Sequence, residues 1–164
     1  MPHGAPNGYT ANVTWRIEEM TVAAVARKLG GRSVLGRDES EYDLIAAVRA
    51  GIPARALDRV FEEFAAFVGI QSDIYRAVGS ARTLQRKRKE EITLSADESD
   101  RLARLARLIV RAESAFADDD KAHRWLAKPN RALGGARPLA LLDSDAGALA
   151  VERVLGRIEH GIAS

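Results

Sequence analysis

Apolar side chains in this chain recur every three or four positions, with polar and charged residues between them. That period is helical, and no segment combines two-residue alternation with the hairpin turns of a half-buried strand. Ile17, Met20, Val25 and Leu29 mark a first amphipathic helix that stops at Gly30-Gly31, and Arg32 to Arg37 reads as a linker or short extended piece. A second helix starts at Ser40, carries Leu44, Ile45 and Val48, and ends at Gly51. Pro53 suits the first turn of a third, with Leu57, Val60, Phe61, Phe64 and Val68 inside and Gly69 as its stop. Ser72 opens a short helix with Ile74 and Val78, Gly79 breaks it, and Ser80 caps the next, SARTLQRKRKE. Ser95 with Glu98 three residues on spells a capping box for a longer helix whose buried stripe is Leu102, Leu105, Ile109, Ala112 and Phe116. Asp118 to Asp120 start another, ending near Lys128.

The last third changes character. Pro129 cannot continue a helix, Gly134-Gly135 permit backbone angles that other residues avoid, and Pro138 restarts order ahead of Leu139, Leu141 and Leu142. Asp143 or Ser144 caps a final helix in which Val151, Leu155, Ile158 and Ile162 share a face. A loop so ordered by Pro and Gly, between two amphipathic helices, looks built to present something. The expected fold is all-α. Residues 1–12 read as a disordered tail, 13–38 as a helix and linker, 39–92 as one helical domain and 93–164 as a second.

Composition narrows the chemistry. With 164 residues the chain can bury a real core or two small ones. It has no cysteine, which removes disulfides and thiolate metal sites. No run of about 20 apolar residues and no charged-then-apolar leader is present, so a soluble cytoplasmic protein with no membrane contact is expected. The 25 basic and 23 acidic residues leave a net charge of only +2, so distribution matters more than total.

One stretch concentrates positive charge. A short helix, a Gly turn and a second helix form the helix-turn-helix signature. The second helix presents Arg82, Thr83, Gln85, Arg86 and Arg88, with Ser80 at its start, Lys87 and Lys89 beside them, and Leu84 on its buried side. Arg pairs bidentately with guanine and Gln with adenine, while Thr and Lys hold phosphates. A basic run taken alone is ordinarily a solvated face; the preceding helix and Gly turn reverse that weighting.

Catalytic constellations are weaker. His3, His123 and His160 are far apart. His123 near Asp118–Asp120 has metal-ligand chemistry, but acidic residues in a first helical turn complement the helix dipole and no second His follows at ligand spacing. Glu159 and His160 are helix neighbours that point apart. Gly134-Gly135 follow no strand and precede no Lys-Ser/Thr. Glu62-Glu63 and Glu90-Glu91 read as solvated charge. No nucleophile–base pair stands out, so the expectation is a non-enzyme without cofactor or metal. Trp125, a large aromatic at a helix end, is expected to pack the C-terminal half.

The segment from Trp125 to Gly161 closely resembles the C-terminal toxin-binding domain of the Xre/MbcA/ParS-like antitoxins. The residues that carry this are Trp125-Leu126, Pro129-Asn130, Ala132-Leu133-Gly134-Gly135, Arg137-Pro138-Leu139, Leu141-Leu142-Asp143 and Gly156-Arg157-Ile158-Glu159-His160-Gly161. Pro53 to Lys89 looks like the Xre-type helix-turn-helix that precedes this domain, and the stretches from Ile45 to Val60 and from Lys28 to Gly36 look familiar in such antitoxins. The resemblance implies an antitoxin of a type II pair whose partner is a RES-domain toxin that destroys NAD. It also implies a dimer or higher complex that represses its own promoter by binding operator DNA. The toxin-facing residues would come from Asn130, Leu133, Gly134, Gly135, Arg137, Pro138, Leu141 and Leu142, with Gly156, Arg157, Glu159, His160 and Gly161. Leu133 to Leu142 either packs internally or forms that surface. The alternative function is a stand-alone transcriptional regulator whose C-terminal half dimerises or binds another partner.

Overall fold

The computed structural model describes residues 22–36 and 41–161, and among these the regular structure is helical. The elements in order are α1 (residues 22–28), α2 (Gly31–Leu35), α3 (Glu41–Ala50), α4 (Ala56–Glu63), α5 (Ile70–Val78), α6 (Ala81–Lys89), α7 (Ala96–Phe116), α8 (Asp119–Ala127), two 3-10 turns, η1 (Arg131–Leu133) and η2 (Pro138–Leu141), and α9 (Asp145–Glu159).

The 21-residue α7 is the axis, with α3, α5, α8 and α9 packed against it. Its length follows from its sequence: no Gly or Pro interrupts it, and the Ser95–Glu98 capping box closes in both directions. Leu102, Leu105, Leu108 and Ile109 are essentially inaccessible to solvent. Burial of each contributes roughly 1.5–3 kcal/mol. Ala117, in the left-handed region at φ 49°, ends α7, and Asp118 at once caps α8 by accepting from the Lys121 N–H. Phe116 at the end of α7 and Trp125 of α8, with ring centroids 5.7 Å apart, pack across this hairpin, and Trp125 lies half-buried against the core. The buried side chains form one continuous cluster from Val25 to Leu155. The boundary expected at residues 92/93 falls just ahead of α7, whose buried face serves the helices on both sides of it.

Several expected boundaries shift. Gly31 to Leu35 is a turn of helix rather than an extended linker, entered through the left-handed Gly30. Pro53 lies before α4, in an isolated antiparallel bridge to Thr93. The Ala54 N–H donates to the Ile92 carbonyl at 3.1 Å and Leu94 N–H to Ile52 at 2.8 Å, fixing the chain ahead of α7. α4 ends at Glu63, so Val68 is not a core residue; it is 98% exposed at the tip of the loop into α5. α5 starts at Ile70, and Ser72 donates its hydroxyl back to the Gly69 carbonyl instead of capping. Ser80 is the N-cap residue of α6, though its side chain makes no capping hydrogen bond. Of the two candidates for the last cap, Ser144 is used: it accepts from the Gly147 N–H. Residues 1–12, Ile17, Met20, Ser40 and Ile162 lie outside the described residues.

Candidate functional site

The basic helix α6 divides into two faces. Arg82, Gln85, Arg86 and Lys89 are exposed, spaced i, i+3, i+4 and i+7, and so form one outward stripe, with Ser80 exposed at its start and Thr83 half-buried. Within it Arg86 pairs with Glu90 at 2.9 Å. Lys87 and Arg88 belong to the other face. They follow the fully buried Leu84 by three and four positions, which brings them onto the side packed against the protein. Lys87 reaches Glu98 at 2.6 Å. Burial works against ionisation of the Glu98 carboxyl, yet hydrogen bonds from Lys87 and from the Ser95 backbone hold it below its ordinary range. Arg88 pairs with Asp58 of α4, donates to the Tyr75 hydroxyl of α5 at 2.6 Å, and stacks 4.7 Å from the Phe61 ring centroid. These two cations fasten α6 to α4, α5 and α7. Of the eight residues expected to contact DNA, Lys87 and Arg88 are thus the two that pair with other helices of the protein.

The loop after α8 is closed on itself. Asn130 caps η1 by accepting at its side chain from the Ala132 N–H (2.8 Å), its carbonyl accepts from Gly135 (2.9 Å), and its own N–H donates to Ala136 (3.0 Å). Gly134 and Gly135 sit at φ 65° and 83°, which explains glycine there by backbone angle, since a Cβ would meet open space at both. Leu133 and Leu141 are half-buried against the core, and Pro138 and Leu142 are buried. Gly147 of α9 touches the loop so closely that a Cβ would stand 1.9 Å from the Leu141 carbonyl. Arg137 turns inward and ends 2.8 Å from Asp73 on α5. Within the set expected to face a partner from Asn130 to Leu142, Pro138 and Leu142 are buried and Arg137 is paired with Asp73. Asn130, Leu133, Gly134, Gly135 and part of Leu141 are left on the surface.

At the chain's other candidate stretch, Glu159 receives two hydrogen bonds from Arg111, both 3.2 Å. The His160 Nδ1 donates to the Gly156 carbonyl at 2.6 Å, and Arg157 and Gly161 are exposed.

One cluster escaped the sequence pattern. Lys28, Glu63, Glu113 and His123 come from α1, α4, α7 and α8 and meet in one cluster, with the His123 ring 5.0 Å from that of Phe64. Lys28 Nζ lies 2.7 Å from Glu113 and 3.1 Å from Glu63, and His123 Nε2 lies 2.7 Å from Glu113. Glu63 is therefore not solvated charge. Its carboxyl is pushed up by burial, against the opposing pull of Lys28. Burial works against the Glu113 charge too, but hydrogen bonds from His123 and Lys28 hold that carboxyl down. His123 is raised by its hydrogen bond to Glu113. Glu63, Glu113 and His123 offer donor atoms within 4.8 Å of one another. The Lys28 ammonium already answers their negative charge, so the arrangement is that of an internal ion cluster. No sequence spacing signals it, because each of the four groups comes from a different helix.

Among the described residues no helix is long and apolar enough to cross a membrane. The family model described as the Antitoxin Xre-like helix-turn-helix domain matches residues 43–107, and that of the Antitoxin Xre/MbcA/ParS C-terminal toxin-binding domain matches residues 111–161. Over 123 residues the chain is 37% identical to Antitoxin Xre of Photorhabdus laumondii subsp. laumondii, spanning 74% of this chain and 81% of that one. It is 31% identical over 123 residues to Antitoxin Xre of Pseudomonas putida, spanning 74% of each. It is 29% identical over 132 residues to the Prs ADP-ribosylating antitoxin of a Sphingobium species, spanning 74% of this chain and 81% of that one. The junction of the two matched domains falls inside α7.

Proposed function

Because this chain belongs to the Xre antitoxin family, we propose that it neutralises a RES-type, NAD-degrading toxin with its C-terminal half and represses its own promoter with its helix-turn-helix. One observation carries the reading: a single helical body bears two unlike surfaces. The Arg82–Lys89 stripe lies in the helix-turn-helix match, and the closed Asn130–Leu142 loop, with α9 beside it, lies in the toxin-binding match.

The toxin half acts by occlusion. A rigid loop and helix laid across the mouth of the toxin's NAD pocket deny it substrate, with no chemistry required of the antitoxin, which is not itself an enzyme. The Sphingobium relative is named for ADP-ribosylation, a chemistry that spends NAD, and an NAD-consuming partner suits that name. At the DNA end, α6 enters the major groove. Arg82 and Gln85 near its start meet base edges, while Arg86 and Lys89 hold phosphates. A dimer would set two such helices about 34 Å apart on one face of the operator. A protein that binds operator DNA and an NAD-degrading toxin would act in the cytoplasm.

Co-expression with the toxin encoded by the neighbouring gene tests the reading. Growth is restored, the purified complex spares NAD while free toxin depletes it, and the complex shifts promoter DNA. NAD loss that continues at saturating antitoxin overturns the toxin assignment. A promoter shift without any toxin binding leaves a stand-alone regulator.

A further inference from the structure

The charges of α9 are sorted by side. All three of its carboxylates face α7: Asp145 pairs with Arg104, Glu152 lies 3.5 Å from Arg107, and Glu159 lies 3.2 Å from Arg111. Both of its arginines, Arg153 and Arg157, are exposed and have no hydrogen-bond or ion-pair partner among the described residues. The carboxylates of the helix are thus paired with α7 arginines, Glu152 and Glu159 partly buried and Asp145 exposed, while its own arginines carry unpaired charge.

That outer face is also partly apolar. Leu149, four positions before Arg153, is 48% exposed, one of the few large apolar side chains left in solvent. Arg153, Gly156, Arg157 and His160 line a shallow cleft of about 510 Å³. Gly156 leaves bare backbone in this lining, and a Cβ there would stand 3.5 Å from the Arg111 guanidinium. Elsewhere on the helix η1 and η2 pack on α9, so this face and the closed loop belong to the same half of the protein.

We propose that this outer face of α9, with Arg153 and Arg157 lining the cleft at Gly156 and Leu149 on the same helix face, docks an acidic patch of the toxin. The inference rests on the toxin-binding reading above and adds the chemistry of the partner surface: carboxylates on the toxin that flank an apolar side chain seated in the cleft. Two arginines four residues apart on one helix face present parallel guanidinium forks suited to paired carboxylates. Arginine and well-enclosed apolar contacts dominate protein interfaces energetically. An exposed leucine favours a protein over a phosphate backbone. α9 packs on α7 and the two 3-10 turns rather than on α6, which separates this cationic face from the DNA-reading stripe. Glu159 drops out of the docking set, since Arg111 occupies it.

The test uses the full chain and the toxin encoded beside it. The double variant Arg153→Glu/Arg157→Glu is expected to weaken toxin binding at least thirtyfold at 0.15 M salt and to flatten the salt dependence of the remaining affinity. Leu149→Ala costs several-fold. The melting temperature of the double variant stays at the wild-type value, because neither arginine has an internal partner to lose, and its promoter shift is unchanged. Unaltered toxin affinity and salt slope in a variant that folds, with wild-type binding intact, overturns the acidic-patch proposal alone. Loss of the promoter shift with toxin binding retained overturns it in favour of a nucleic-acid contact. Failure of the wild-type protein to bind the toxin overturns the underlying reading together with it, and that control separates the two failures.

Discussion

Arg137, in the loop between the two 3-10 turns, ends 2.8 Å from Asp73, a carboxylate only 3% exposed on the first helix of the helix-turn-helix. A second pair runs parallel to it, Arg76 of α5 to Asp143 at 2.7 Å. The segment expected to present residues to a partner is therefore bolted to the DNA-binding half of the chain.

Removing one member of this pair strands the other. Arg137→Glu places a second carboxylate beside the buried Asp73 and, because the Arg137 side chain is itself 34% exposed, should cost about 1–3 kcal/mol of stability rather than the full cost of breaking a buried pair. The melting temperature falls first, and toxin affinity per folded molecule stays near wild type. Asp73→Asn combined with Arg137→Gln should lose less than Arg137→Gln alone, since no buried charge is then left unpaired. Calorimetry on the three variants checks this; a wild-type melting temperature for Arg137→Glu, with weakened toxin binding, would instead make Arg137 a direct contact.

What the sequence reveals is local. The Ser95–Glu98 capping box, the Asp118 cap and the Ser144 cap depend on residues three apart, and all three are present. The helical period finds α3 to α9 for the same reason. What escapes is long-range pairing: Lys28 and Glu113 are 85 residues apart, and no periodicity links them. The inward turn of Lys87 and Arg88 is an intermediate case. Leu84 marks the buried face, and counting three and four residues onward finds both cations, but charge type alone points them to solvent. Arg137 deceives in the same way, since a cation in a Pro- and Gly-rich loop reads as exposed until its carboxylate partner is found on another helix.

The shared core bears on separability. A fragment beginning at Ser95 keeps the whole 111–161 match but loses α3 and α5, against which α7 packs. Leu102, Leu105 and Ile109 then lack part of their cover. Such a fragment should show helical circular dichroism without a cooperative melt and bind toxin weakly or not at all. A sharp transition with full toxin affinity would establish that the C-terminal half folds alone.

The Lys28–Glu63–Glu113–His123 cluster ties stability to pH. The folded-state pKa of His123 is raised above 6.5, chiefly by its hydrogen bond to Glu113. The folded state thus holds this proton more tightly than the unfolded chain. The stabilisation is fully present below about pH 6.5 and is lost as pH rises through the raised value. Glu63, raised above 4.5 by burial, works in the same direction at lower pH, while Glu113, held low, loses its contribution only as pH falls below 4.5. The melting temperature should therefore decline from pH 6 upward toward neutrality and beyond, and His123→Gln should flatten that decline. An identical pH profile in the variant would show that His123 does not carry the effect.

The two faces of α6 make opposite predictions for residues of similar charge. Arg82 has no ion-pair partner among the described residues, and Arg86 has only an exposed one, Glu90. Replacing both with Ala should leave stability within about 0.5 kcal/mol of wild type, as expected for surface positions. Operator affinity should fall by roughly 1–3 kcal/mol for each base edge that the variant no longer reads, and the salt slope should drop by about one for each phosphate it no longer neutralises. Arg88→Ala should do the reverse. It strands Asp58 and the Tyr75 hydroxyl and uncovers the Phe61 ring, so stability falls by about 1–3 kcal/mol while the salt slope of DNA binding, measured on folded protein, is unchanged. Gel shifts over a salt series, run beside thermal melts on the same preparations, distinguish the two. An Arg88→Ala variant that melts like wild type but loses a unit of salt slope would move Arg88 onto the DNA face and reverse the assignment of sides made from Leu84.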